Sequence, residues 1–414
     1  MMSGAARFLF LAALAALTGC SSGGTGPAGA PNGGSASTAS SSAGALSGAS
    51  GAASGGASGA RPSGASSGLS GGTSAASGSM TAAGSPSGSG VGADAAMPDM
   101  PSGDGGPALA GGDGGGADGA PQSPVQPIQR GNLHVLEFGN IKFTIDGTQG
   151  ARITGFALDG TNILIGPQQV SAMFAHFWGS TFWTSPQADW WPNLVVPLDS
   201  GQYTMSVGAD SSVTAKSAVG MVKNKPVVVT KRFTADPTAG TVTIEYTMTN
   251  PGTASFQIGH WEVTRVGPNG LTFYPAGTAA PTIPFGTIMV KRIGAYQWFD
   301  HSTYPMGTAS KISDFPTGGW VAHVVPDPAG DILFIKTFPD IPRGSGAAGD
   351  GELEIFAQSD RSYVEIEAKN QQVMIAPNES VPWQVKWYLR RLPAGTMRTA
   401  GNQALVDFVL KQIH

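Results

Sequence analysis

This chain of 414 residues has a single cysteine, Cys20. An internal disulfide is therefore excluded, and any folded region must be held by burial alone. Charge is scarce as well: Asp, Glu, Lys and Arg make up 12% of the residues, and 23 basic against 27 acidic side chains leave a formal charge of -4. No Lys/Arg stripe or cluster is present, which argues against nucleic acid as a partner. Long apolar runs are missing. The candidate, Phe8 to Leu17, spans ten residues, whereas a bilayer-crossing helix needs about 20. Aromatic residues are absent from Ser21 to Val125, and all nine Trp and seven Tyr lie beyond residue 177.

The aromatic-free stretch is built of Gly, Ser, Ala, Thr and Pro with scattered Asp. Without large apolar side chains nothing offsets the entropy of ordering its backbone, so residues 20–126 read as a disordered linker. As a flexible coil it would span roughly 55 to 60 Å root-mean-square. The Asp-Gly pieces at Asp104, Asp113 and Asp118 lack the nine-residue repeat of calcium-binding β-helices and read as spacer. Residues 127–414 hold the material for a core and read as one large domain.

At the N-terminus, Arg7 precedes the short apolar run, which ends in Leu17-Thr18-Gly19-Cys20. That layout matches a secretory signal, residues 1–19, and the small residues before the cysteine resemble a bacterial lipobox. The resemblance implies acylation of Cys20, a lipid bilayer as a partner through that lipid, and a place in the cell envelope. Ser21, where an Asp would suggest retention at the inner membrane, points to the outer membrane, with the periplasm or the exterior both within reach of the tether. The alternative is an ordinary signal peptide with an incidental cysteine.

Periodicity in the last 288 residues is mostly two. Val227–Phe233, Thr241–Thr249, Ile258–Val266, Ile288–Ile293, Asp331–Phe338, Glu352–Ala357, Tyr363–Ala368 and Pro382–Leu392 are runs rich in β-branched and aromatic residues, separated by turns such as Asn250-Pro251-Gly252. The expectation is an all-β, antiparallel domain, larger than an immunoglobulin sandwich. Helical spacing occurs in Asn402–Ile413, which predicts a short C-terminal helix packed through Leu405, Val406, Val409, Leu410 and Ile413.

Three segments carry a family resemblance. Gly150-Ala151-Arg152-Ile153-Thr154-Gly155-Phe156 with Leu158-Asp159-Gly160 is similar to the opening hairpin of galactose mutarotase-like domains. Trp183-Thr184-Ser185-Pro186-Gln187-Ala188-Asp189-Trp190-Trp191 resembles the Trp/Pro-Gln/Trp loop of the DUF4380-type branch. Val364-Glu365-Ile366-Glu367, the turn at Ala376-Pro377-Asn378-Glu379 and the run Trp383–Leu389 are similar to the closing strands of aldose 1-epimerases. The resemblance spans nearly all of residues 131–392 and implies a β-supersandwich with a sugar-sized groove, carbohydrate as the partner and no cofactor.

In that family a histidine protonates the ring oxygen while a glutamate takes the anomeric hydroxyl proton, which needs one group on each side of the hemiacetal. The resemblance therefore assigns the acid/base roles to His260 and to Glu365 or Glu367. Strand alternation puts His260, Glu262 and Thr264 on one face, Trp261, Val263 and Arg265 on the other, and Tyr363, Glu365 and Glu367 together on a face of a later strand. A solvated sheet face is the competing reading for the glutamates, and a satisfied structural histidine for His260. The family's Asn-Arg pair and second histidine are missing. The loop instead offers Trp183, Gln187, Asp189, Trp190 and Trp191, with Glu262 and His176 as further substrate contacts, since indoles stack on sugar rings and amides or carboxylates read hydroxyls. The same tryptophans could simply plug one end of the sandwich.

Other chemistries find less support. Asp300, His301 and His323 lack metal-ligand spacing, so no metal is assigned. No nucleophile elbow sits between a strand and a helix. Glu365 and Glu367 would lie about 7 Å apart, near an inverting glycosidase's spacing, yet on the same side of a sugar. Two functions are compatible with the sequence: an exported, lipid-anchored carbohydrate-interacting protein with epimerase-like isomerase chemistry, and a non-catalytic glycan-binding or envelope structural module.

Overall fold

A computed structural model describes residues 123–414 apart from Met173, Phe174 and Met289. The signal segment, Cys20 and nearly all of the linker lie outside the described residues. Among those described, the strands in chain order are β1 (Ile128–Arg130), β2 (Leu133–Phe138), β3 (Ile141–Asp146), β4 (Arg152–Leu158), β5 (Thr161–Asn162), β6 (Ser180–Ser185), β7 (Thr204–Val207) and β8 (Val213–Lys216). Then come β9 (Gly220–Val222), β10 (Lys225–Asp236), β11 (Thr241–Thr249), β12 (Phe256–Val266), β13 (Leu271–Pro275), β14 (Thr282–Phe285), β15 (Lys291–Ile293) and β16 (Tyr296–Asp300). The last are β17 (Ser310–Asp314), β18 (Trp320–Val325), β19 (Ile332–Thr337), β20 (Leu353–Ala357), β21 (Val364–Lys369), β22 (Val373–Ile375) and β23 (Ser380–Arg391). Two α-helices accompany them, α1 (Val196–Asp199) and α2 (Gln403–Ile413).

Every strand pairing is antiparallel, and the strands form two sheets. A 12-stranded sheet runs β1-β2-β3-β4-β6-β12-β21-β20-β17-β14, with β5 on β4 and β22 on β12; an 11-stranded sheet runs β15-β16-β13-β18-β19-β23-β11-β10-β8-β7, with β9 on β10. The all-β expectation is met. Thr241–Thr249 is a strand over the whole stretch read from alternation, whereas only Lys291–Ile293 of Ile288–Ile293 pairs.

The two sheets are packed face to face around one apolar cluster. Phe143 and Phe156 of the 12-stranded sheet meet Phe334 and Trp387 of the other, with ring centroids 5.6 to 6.0 Å apart. Burial of these rings supplies the drive for sheet-on-sheet packing that disulfides cannot give here. A second cluster lies on the far side of the 11-stranded sheet, where Leu405, Val406 and Val409 of α2 cover Phe273, Trp298, Trp320 and Leu333. Asn402 starts this helix, its side-chain oxygen accepting from the Ala404 amide at 3.1 Å.

A glycine brings the β3–β4 turn against α1. Gly150 sits at φ +72°, and a Cβ there would lie 2.0 Å from the Asp199 carbonyl oxygen. Only glycine lets the turn come this close to the helix. The approach sets Asp199 beside the aromatic residues of β6.

Candidate functional site

The central strands β6, β12, β21, β20 and β17 position the candidate residues, and their register decides which side each faces. Trp261 is opposite Trp183 on one neighbour and Lys369 on the other, Val263 is opposite Glu367, Arg265 is opposite Glu365, and Glu354 of β20 is opposite Glu367. Directly opposed residues share a face. These side chains therefore line the surface of the 12-stranded sheet turned away from the 11-stranded one. His260, Glu262 and Thr264 take the other side, between the sheets.

The contacts agree with the register. Glu262 is fully buried, its Oε1 accepting from the Tyr246 hydroxyl at 2.8 Å and its Oε2 lying 2.6 Å from Lys336 Nζ; both partners belong to the opposing sheet. His260 Nε2 donates to the Val381 carbonyl at 3.0 Å, and its ring lies between Phe182 and Trp383. Burial above all pushes the imidazole down to about 4, leaving it neutral. His260 and the two glutamates thus project from opposite surfaces of one sheet, and the expectation that they flank a shared sugar is corrected. Glu262 is likewise withdrawn from substrate contact. The rule that a strand's polar side meets water fails because the second sheet brings Tyr246 and Lys336 to satisfy it.

On the outer surface a charged network replaces the expected pair. Arg265 Nε donates to Glu365 Oε1 at 2.8 Å, and Trp261 Nε1 donates to Glu367 Oε2 at 2.8 Å. Lys311 Nζ lies 2.5 Å from Glu354 Oε2 and 3.3 Å from Glu367 Oε2, while Lys369 Nζ lies 2.8 Å from Glu354 and 3.0 Å from Asp350. Lys369 Nζ also sits 4.0 Å over the Trp261 ring, within cation–π range. Burial raises both Glu354 and Glu367, but the two lysines on Glu354 outweigh it and hold that carboxyl down at about 2. For Glu367 burial wins, helped by Glu354 and Glu365 against the lysines, and lifts it to about 7. Its Oε1 is buried and has no hydrogen-bond partner among the described residues.

The tryptophan loop lies over this surface. Trp190 packs 5.1 Å from Trp183 and 5.9 Å from Trp261, and Trp191 lies 6.0 Å from Trp190. Trp183 Nε1 donates to Asp199 Oδ1 at 2.7 Å and Trp190 Nε1 to the Thr184 carbonyl at 2.7 Å, with the two residues 6% and 7% exposed. Both indoles are interior, so the expectation that they rim an open hollow is corrected; Trp191 is half-buried. Gln187 and Asp189 bracket a 3-10 turn, and Asp189 is held by Lys225 at 2.6 Å and Lys223 at 3.6 Å. His176 is exposed, and its carbonyl accepts from Arg152 Nη1 at 2.6 Å.

Sequence reading missed Trp261, Arg265, Lys311, Glu354 and Lys369. Alternation does place Trp261 and Arg265 away from His260, but which side is interior depends on the partner sheet. Among the described residues no group of three or more His, Cys, Asp or Glu is set to hold a metal ion, and no helix is long and apolar enough to cross a membrane.

No family model matches the chain, and neither does any curated protein. Among solved structures it is similar to a galactose mutarotase-like protein from Lactobacillus casei, at 11% identity and TM-score 0.45, covering 62% of this chain and 100% of the other. It is also similar to a galactose mutarotase related enzyme from Lactobacillus acidophilus (8% identity, TM-score 0.42, 63% and 98% covered) and to a galactose mutarotase-like protein from Clostridium acetobutylicum (10%, 0.40, 63% and 95%). The two-sheet architecture rests on the strand pairing itself, and these likenesses carry no argument about chemistry.

Proposed function

We propose that this chain is an exported, lipid-anchored protein that contacts carbohydrate at the outer surface of the 12-stranded sheet, with Glu367 as the group that moves a proton in aldose anomer interconversion. One observation carries the reading: a buried carboxyl lifted to about 7, with one oxygen unpartnered among the described residues, stands beside indole and cationic groups on a single sheet surface. A carboxyl in that range is both donor and acceptor near neutral pH, which acid/base catalysis needs. Protonated Glu367 gives its proton to the ring oxygen as the bond from that oxygen to the anomeric carbon breaks. Water on the opposite side of the hemiacetal takes the anomeric hydroxyl proton, and closure on the other face reverses both transfers. The sequence segments at 150–160, 183–191 and 364–389 support the sugar class and the DUF4380-type placement.

A second reading has its own support. Arg265, Lys311 and Lys369 are each already paired with an acid on this surface, which suits a non-catalytic glycan-binding or envelope structural module. Exchange NMR of anomer interconversion separates the two. Under the catalytic reading the wild type outpaces buffer, Glu367→Gln loses at least tenfold, and His260→Gln retains its rate. A wild-type rate equal to buffer across common aldoses ends that reading in favour of the second. For the anchor, Cys20→Ser is expected to release the protein from the membrane fraction, and its continued retention there would count against acylation.

A further inference from the structure

At the end of the sandwich where β1 and β7, the terminal strands of the two sheets, come together, the surface holds a cleft of about 530 Å³. Such a volume lies within the range of small-molecule sites. Its walls are the β1–β2 turn with Asn132, the β3–β4 turn with Gly147, and the approach to β7 with Gln202, Tyr203 and Thr204. The three segments are tied to one another. The Gly147 amide donates to the Asn132 carbonyl at 3.2 Å, and the Tyr203 amide donates to the Gly147 carbonyl at 2.8 Å. A Cβ on Gly147 would come within 2.6 Å of Met205 Cγ, so glycine lets that wall close up. The frame is built before any ligand arrives.

The lining differs in kind from the outer sheet surface. No Asp, Glu, Lys or Arg contributes to it. Burial keeps His134 below its ordinary value, which favours the neutral ring, and its Nδ1 has no hydrogen-bond partner among the described residues. The side chains of Asn132, Gln202 and Thr204 are exposed and make no hydrogen bond among the described residues. A phosphate, sulfate or carboxylate ligand would find no counter-charge here. A ligand whose hydroxyls both donate and accept would find two primary amides, each offering two donors and an acceptor, and a hydroxyl.

We propose that this cleft binds a neutral saccharide residue through Asn132, Gln202 and Thr204, as a site separate from the outer surface of the 12-stranded sheet. The full chain would be titrated calorimetrically with chitotetraose, cellotetraose and maltotetraose up to about 10 mM. At least one is expected to bind, and Asn132→Ala with Gln202→Ala to weaken it about tenfold, the loss of one or two neutral hydrogen bonds. Thr204→Val, nearly isosteric, should weaken it in the same direction, while Lys386→Ala, at an exposed position of β23 outside the cleft, leaves it unchanged. Unaltered thermal melts would tie the losses to the cleft. Two results overturn the proposal: no heat with any of the three saccharides, or binding that survives the cleft variants and disappears with Glu367→Gln or Trp191→Ala. The latter would leave the sheet-surface reading standing without the cleft.

Discussion

Trp261 and Glu367, on neighbouring strands, are joined by a 2.8 Å hydrogen bond from the indole Nε1 to the carboxyl Oε2, with Lys369 Nζ stacked 4.0 Å over the same indole. The pair explains how a carboxyl with 1% exposure is tolerated. Its Oε2 accepts from the indole at 2.8 Å and lies 3.3 Å from Lys311 Nζ, and the three cations on this surface are each held by another acid, Glu365, Glu354 or Asp350. With Glu367 protonated the network is balanced; ionised, it carries one surplus negative charge.

Glu367→Gln should therefore stabilise the protein at alkaline pH. The folded carboxyl, at about 7, holds a proton through a range where the unfolded one, at 4.5, has lost it. Stability from this group is thus full below about 4.5 and is lost as pH rises through about 7. Urea melts at pH 8 should show the variant ahead by roughly 1 to 3 kcal/mol, with the gap closing at pH 5. An equal offset at both pH values would contradict this account.

Three buried histidines act in the opposite direction. Burial pushes His260 to about 4, His301 to about 3, and His323 well below its ordinary value; Thr272 Oγ1 lies 2.7 Å from His301 Nε2 and 3.0 Å from His323 Nδ1. Below the ordinary imidazole value of 6.5 the unfolded chain binds protons that the folded chain does not. Stability then falls with pH, by about 1.4 kcal/mol per pH unit for each histidine. Set against Glu367, and against Glu352 lifted to about 8 by burial and Asp340, the three histidines leave a net gain in stability as pH rises from about 4.5 to about 6.5 in thermal melts. Above about pH 7, Lys231, held down at about 7 by burial, offsets Glu352. A flat profile would show that these groups titrate alike folded and unfolded.

Lys336→Met should be among the most damaging single changes between the sheets. Lys336 Nζ serves Glu262 Oε2 at 2.6 Å, Thr264 Oγ1 at 3.1 Å and the Ile366 carbonyl at 3.0 Å, all without access to water. Removing the cation leaves Glu262 buried and unpaired, a loss of roughly 3 to 5 kcal/mol. The double variant Lys336→Met with Glu262→Gln should recover much of it in urea melts. Equal losses for the single and double variants would place the effect in packing instead.

Much of the strand content was legible because alternation and turn residues are local signals. Thr241–Thr249 alternates over nine residues between strong turns, and its strand bounds match. Asn402 and the apolar spacing after it marked the C-terminal helix in the same way. The candidate site was harder, because its meaning depends on which surface of a strand is covered. His260, Glu262 and Thr264 look like a polar side facing solvent until the opposing sheet brings Tyr246 from the preceding strand and Lys336 and Val381 from strands remote in sequence. Trp183 and Trp190 look like a stacking platform until Asp199 and the Thr184 carbonyl claim their N–H groups. Lys311 and Glu354 join Glu367 only through the β17–β20–β21 register, which no single segment encodes.

The C-terminal helix shields one flank of the 11-stranded sheet. Leu405, Val406 and Val409 are what separate the rings of Phe273, Trp298 and Trp320 from water. A chain cut short before Gln403 would carry a bare aromatic strip along its 11-stranded sheet, and such molecules would be drawn to one another through it.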